Sequence, residues 1–79
     1  MADRHEGFKR QLKQMHDGGI RRTIRSLQHN ISSHEHKIDT EPDSHAIQHW
    51  REEIAIWREQ LAPAINEAQN RGIYEEDAQ

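Results

Sequence analysis

Two stretches of the chain carry apolar residues at alternating steps of three and four, with charged or amide side chains between them. The spacing puts these residues on one narrow stripe of a helix, and a narrow stripe is typical of a helix that packs against another helix. The pattern therefore predicts two amphipathic helices. Their apolar positions are Ile20, Ile24, Leu27, Ile31, His34 and Ile38 in the first, and Ile47, Trp50, Ile54, Trp57, Leu61, Ala64 and Ala68 in the second.

The segment 39–44 contains Pro42 and predicts a short turn between the two helices. Pro42 suits the first turn of a new helix, and a short connection makes the helices antiparallel neighbours. Pro63 lies inside the second helix, which could end near Leu61. Because good helix formers follow Pro63, we expect a kink there and continuation to about Asn70.

Upstream, Phe8, Leu12 and Met15 predict a short helix. Gly18-Gly19 would cost about 2 kcal/mol relative to alanine in a helix interior, and the apolar register slips there, so we expect a break at 17–19. The predicted fold is all-α: an antiparallel, coiled-coil-like helical hairpin with a short N-terminal helix, assembled into a helical bundle. The expected segments are a helix over 4–17, helices over 20–38 and 41–70, and an acidic tail over 72–79.

The composition indicates that this fold needs a partner. Only 32% of the 79 residues are hydrophobic, 32% are charged, and the mean hydropathy is −1.21. A single core is marginal at this size, and one facing helix cannot cover two tryptophan rings. We expect self-association, with a dimer favoured, or docking on a larger protein.

Several classes are disfavoured by what the sequence lacks. It has no cysteine, which excludes disulfides, thiol catalysis and cysteine-ligated zinc. No apolar run approaches about 18 residues and the N-terminus has no apolar leader, so we expect a cytoplasmic protein without membrane association. We find no nucleophile elbow, phosphate loop or paired buried carboxylates, and Arg22 with His29 suits a nuclease only loosely, so no enzyme is predicted.

The two halves of the chain differ in charge. Residues 1–38 carry eight Lys/Arg against four Asp/Glu, a balance of +4, whereas 39–79 carry three against ten, a balance of −7. The favoured interpretation is that a basic helix and an acidic helix attract each other within the hairpin; the alternative is an electrostatic partner.

Four basic residues carry that alternative: Lys13, Arg21, Arg22 and Arg25. A basic helix of a hairpin dimer could lie along phosphates, and the expected shape resembles the small Rop-like RNA-binding hairpins of plasmids. This resemblance implies a nucleic-acid-binding regulator, although no residue motif matches that family. The acidic second half and the lack of an aromatic platform argue against it.

The tryptophans carry the favoured function. Trp50 and Trp57 lie two turns apart and each precedes an arginine, and Trp and Arg dominate the energetics of protein interfaces. We predict a non-catalytic protein-binding module, a small adaptor or inhibitor that occupies a surface of a larger protein. An accessory protein of a phage or mobile element is a hypothesis about context only. The predicted binding residues are Trp50, Arg51, Glu53, Trp57 and Arg58.

The seven histidines raise the question of a metal site. His45 and His49 share a helix face, and His34 and His36 lie near them across the turn. Only His34 points inward by its register, however, and no closed ligand set is present. We therefore expect neither metal nor cofactor, and we interpret His34 as a partly buried histidine hydrogen-bonded across the hairpin.

Overall fold

The structure, a computed structural model, describes residues 4–74. Within this range the chain forms α1 (Glu6–Gln14), α2 (Asp17–Thr40) and α3 (Ile47–Asn70), with no strand. The predicted all-helical hairpin with a short N-terminal helix is confirmed: α2 and α3 pack against each other, and α1 packs against α3. The α2–α3 pairing is antiparallel and the α1–α3 pairing is parallel, so α3 lies between two neighbours.

The core lies at the end of the hairpin where α2 begins and α3 ends. Ile20, Ala64 and Ala68 have no exposed surface, and Leu12 of α1 is 2% exposed. The two alanines carry the smallest apolar side chains of α3, so both neighbouring helices approach it closely at this end. Ile24 and Leu27 complete the buried cluster, and its half-buried neighbours are Phe8, Met15, Trp57, Leu61, Ile65, Ile73 and Tyr74.

The break between α1 and α2 does not lie at the glycines. The extended backbone is at Met15 and His16, with ψ angles of 145° and 170°, and α2 begins at Asp17 with Gly18-Gly19 inside its first turn. The predicted break at 17–19 is therefore wrong. Its position follows from a tertiary contact described below, because the last carbonyls of α1 are bound by a side chain of another segment.

The turn between α2 and α3 lies two residues further along the chain than predicted, over 41–46 instead of 39–44. The second helix starts at Ile47 rather than near 41, and Pro42 lies in the turn. The hydroxyl of Thr40 donates to the carbonyl of His36 at 3.0 Å and so closes α2. Ser44 Oγ accepts a hydrogen bond from the amide of Ala46. The helix continues through Pro63 to Asn70.

The end of α3 is a Schellman motif. Gly72 has a φ of 72°, its amide donates to Gln69, and the amide of Ile73 donates to the carbonyl of Ala68 at 2.9 Å. Ile73 and Tyr74 then pack against the core, which ties the start of the predicted tail to the hairpin. The acidic remainder of that tail, 75–79, lies outside the described residues.

Candidate functional site

One cluster joins two aromatic side chains of α3 to a histidine of α2. The His34 ring meets Trp57 edge-on at a centroid distance of 4.7 Å, and Trp50 at 6.5 Å. His34 Nε2 lies 3.3 Å from Glu53 Oε1, and the histidine side chain is 17% exposed. The partial burial of His34 and its position facing α3 are as predicted, and its contact with Glu53 is an ion pair where a hydrogen bond was expected. We call His34, Trp50, Glu53 and Trp57 the tryptophan edge.

The tautomer of His34 follows from its surroundings. Its Nδ1 atom is buried and has no hydrogen-bond partner in the described part of the chain. A proton on Nδ1 would be a buried, unpaired donor, whereas Nε2 faces Glu53 Oε1 at an ion-pair distance. The imidazole therefore contacts both indoles and turns its Nε2 atom toward the carboxylate.

Charged side chains surround the tryptophan edge. Glu53 is shared by His34 and His49, whose Nε2 atom lies 3.2 Å from the same oxygen. Lys37 Nζ lies 5.8 Å from the centre of the Trp50 ring, within reach of a cation–π interaction. Arg58 pairs with Glu35 of α2, so Arg58 is held across the hairpin.

Of the five predicted binding residues, Trp50, Glu53 and Trp57 thus lie in one cluster and Arg58 is tied across the hairpin beside it. The fifth, Arg51, is exposed and makes no ion pair with the other described residues. Both tryptophans are half-buried, but Trp57 also packs against the core. Trp57 is consequently part of the fold, whereas Trp50 is the indole better placed to contact another molecule.

The histidines near the turn do not assemble into a metal centre. No group of three His, Cys, Asp or Glu side chains between residues 4 and 74 is arranged to hold a metal ion. His36 and His45 are exposed, and the contacts of His49 are those of an ion pair with Glu53.

Arg71 is a structural residue that sequence reasoning missed. Its guanidinium donates to the carbonyl oxygens of Met15 at 2.7 Å and Leu12 at 2.9 Å, which are among the last carbonyls of α1. It also contacts Asp17 Oδ1 at 3.1 Å and Glu67 Oε2 at 2.9 Å. The five-donor fork of arginine suits this task, because unpaired carbonyls at a helix end need donors.

The same contacts perturb the titration of the partners. The hydrogen bond from Arg71 is the main reason that the pKa of Glu67 is lowered, and the bond to Glu67 is the main reason that the pKa of Arg71 is raised. A basic residue near a helix end is a recognised signal for capping its own helix. Nothing in the sequence indicates that Arg71 instead binds carbonyls almost 60 residues upstream.

The N-terminal side of α1 is anchored by a second polar contact. Arg4 donates to Glu59 Oε1 at 2.6 Å, and His5 Nε2 lies 2.8 Å from the same oxygen. The pKa of Glu59 is lowered, chiefly by the hydrogen bond from Arg4 and next by that from His5. His5 is 8% exposed, so this end of α1 is fixed by a nearly buried imidazole.

The predicted basic residues lie in different surroundings. Lys13, on α1, lies 3.6 Å from Glu67 Oε1. Arg21, Arg22 and Arg25, on α2, lie along one helix, and none has a carboxylate partner among residues 4–74. All three are exposed. The structure therefore keeps the three arginines together and separates Lys13 from them.

The direct ion pairs do not follow the expected sense of the charge asymmetry. Two acidic side chains of α2, Asp17 and Glu35, pair with Arg71 just after α3 and with Arg58 of α3. The α3 carboxylates Glu59 and Glu67 pair with the N-terminal segment, with α1 and with Arg71. Within the described residues, no Lys or Arg of α2 forms an ion pair with a carboxylate of α3.

Comparison with protein-family models, curated proteins and solved structures gives no match for this chain. Within the described range, no helix combines the length and the apolar character that crossing a membrane requires. Any functional inference therefore depends on the residues and contacts described above.

Proposed function

We propose that this chain is a non-catalytic protein-binding module that occupies a surface of a larger protein through the tryptophan edge. The observation that carries the proposal is that Trp50 keeps part of its surface exposed although His34, Lys37 and α3 surround it. Interface energy concentrates in Trp, Tyr and Arg side chains near the centre of an interface, and Arg51 follows Trp50 directly in the chain.

The charges around Trp50 define the chemistry of the partner. Glu35 and Glu53 are already engaged with Arg58 and with two histidines. The cations Lys37 and Arg51 have no carboxylate partner within the described residues. The complementary surface on the partner is therefore an apolar pocket for the indole, surrounded by acidic groups. Basic groups there would face Lys37 and Arg51, and like charges across an interface cost several kcal/mol.

Self-association, as a dimer or helical bundle, is the alternative occupant of the same surface. A two-fold contact brings the same patch of both copies together. Lys37 and Arg51 of one copy would then approach Lys37 and Arg51 of the other, and the exposed carboxylate of Glu52 offsets only part of this repulsion. An adaptor or inhibitor bound to an acidic-rimmed partner is consequently favoured over a dimer through this edge.

Site-specific photo-crosslinking tests the proposal. A photoreactive residue at position 51 is expected to give a covalent adduct heavier than two copies of the chain. The same residue at Ser26, which is exposed on the other long helix, is the matched control and should not give that adduct. Trp50→Ala should remove the adduct at position 51 while the far-ultraviolet circular dichroism remains helical.

The outcomes separate the candidates. An adduct with twice the mass of the chain assigns the edge to a second copy, and light scattering at several concentrations then gives the oligomeric state. An adduct of equal yield from Ser26, or one unaffected by Trp50→Ala, contradicts the tryptophan edge as the binding surface. The absence of any adduct at position 51 in cells that naturally make the protein would contradict the proposed function.

A further inference from the structure

We propose that the outer face of α2 is a docking surface for the phosphates of duplex DNA. From residue 18 to residue 34 α2 contains three arginines and two histidines and no carboxylate. Its two nearest acidic residues, Asp17 and Glu35, are occupied by Arg71 and Arg58. A basic segment of this length whose flanking acids are neutralised is unlike the other surfaces described in the molecule.

The geometry places the basic groups on one line. Arg22, Arg25 and His29 follow at steps of three and four, on the side of the helix opposite to the buried Ile20 and Leu27. Arg21 precedes these residues and His36 follows them. The exposed basic residues from Arg21 to His36 extend over about 22 Å, at 1.5 Å per residue. The first helix, α1, does not cover them because it packs on α3.

The four carboxylates of α3 would repel phosphate if they were free, and two of them, Glu59 and Glu67, have Arg or Lys partners. Glu59 is bound by Arg4 and His5, and Glu67 by Lys13 and Arg71. Their charges are therefore compensated within the fold, away from the three arginines. Because the whole chain carries a net charge of −3, binding to a polyanion has to come from a local surface rather than from overall charge.

Duplex DNA fits this face better than single strands. No aromatic residue of the Phe, Tyr or Trp type occurs in α2, so there is no platform on which unpaired bases could stack. The major groove of B-DNA, about 12 Å wide, admits a helix, whereas the major groove of duplex RNA is too narrow for side chains to read. The expected contact is to phosphates and carries little base specificity.

The test is fluorescence anisotropy of a labelled 20-base-pair DNA titrated with the full chain at several salt concentrations. Three phosphate contacts give a slope of about −2.7 in a plot of log K against log salt, so K falls about fortyfold between 50 and 200 mM. Arg22→Gln should reduce the slope to about −1.8, and the fall to about twelvefold. Glutamine is a good helix former, so exposed Arg→Gln changes preserve α2.

Two matched controls decide whether the surface is assigned correctly. Lys13→Gln and Arg10→Gln each remove one positive charge, but both residues lie on α1 and are paired with Glu67 and Glu6. Both should leave the slope unchanged. In a nuclear magnetic resonance titration, the amide signals that move should be those of 21–29, which provides a readout without any variant.

Four results would overturn the inference. The first is no binding of duplex DNA at 50 mM salt, and the second is an equal reduction of the salt slope by Arg22→Gln and Arg10→Gln. The third is a change of amide signals confined to α3, and the fourth is tighter binding of a single-stranded or duplex RNA of the same length. The last result would assign the face to RNA.

Discussion

Replacing the two glycines at the start of α2 by alanine should stabilise the protein. Neither glycine has a positive φ. A Cβ added at Gly18 would lie 3.9 Å from Arg22 Nη1, and one added at Gly19 would lie 3.5 Å from the Cβ of Met15, which are ordinary contacts. Glycine is about 0.5–1 kcal/mol less favourable than alanine within a helix, so we expect about 1–2 kcal/mol for the double variant.

The assay is urea unfolding followed by circular dichroism at constant protein concentration, with the free energy of unfolding taken by linear extrapolation. For a domain of this size, 1 kcal/mol corresponds to a rise of about 4–8 °C in Tm. Gly72→Ala is the control of opposite sign. At a φ of 72° a side chain costs about 1–2 kcal/mol, so this variant should lose stability.

The double variant would refute the assigned break if its free energy of unfolding fell. That result would mean that the chain turns at Gly18-Gly19 in a conformation that alanine does not adopt, as the sequence alone predicts. An unchanged stability in both Gly18→Ala and Gly72→Ala would instead show that neither helix end is formed as described.

Three further predictions follow from the core and from the contacts that hold α1. Ile20→Ala should lower the free energy of unfolding by about 2–5 kcal/mol. The control, Ile56→Ala, changes a side chain that is 37% exposed and should alter this free energy by about 0.5 kcal/mol or less. Equal decreases of the free energy in urea unfolding would contradict the assigned core. Because the pKa of Glu59 is lowered from 4.5, its stabilisation is present above that value and is lost as the pH falls through the lowered pKa in the folded protein. Amide protection in α1 should therefore decrease at acid pH, and Glu59→Gln should weaken that dependence; an identical pH profile would argue against the contact. Arg71→Lys keeps the positive charge but not the planar guanidinium that binds the carbonyls of α1. Amide hydrogen exchange should therefore accelerate in α1 and not in the middle of α3. Uniform acceleration would contradict the assigned role of Arg71 in holding α1.

The apolar pattern predicted the hairpin because burial on one side of a helix is a local property of the sequence. Ile20, Ile24 and Ile54 are buried where the periodicity places them. The pattern remained informative where its side chains become small, since Ala64 and Ala68 lie in the centre of the core.

The errors have long-range causes. Glycine propensity placed the break at Gly18-Gly19, but the extended residues are Met15 and His16, where Arg71 binds the carbonyls at the end of α1. Likewise, the net charge of each half of the chain does not indicate which charged side chains pair with each other. The partners of Glu59 lie 54 and 55 residues away in the sequence, and only the fold brings them together.

The contact of one imidazole with both indoles gives the protein an internal optical probe. The chain has two tryptophans, and His34 lies against each of them. Its intrinsic fluorescence therefore reports from one small region of α3. A ligand that binds to that region will change the emission wavelength or intensity. A ligand that binds along the outer face of α2 will leave the emission spectrum unchanged. Fluorescence of the unlabelled protein therefore distinguishes the two modes of binding proposed for this molecule.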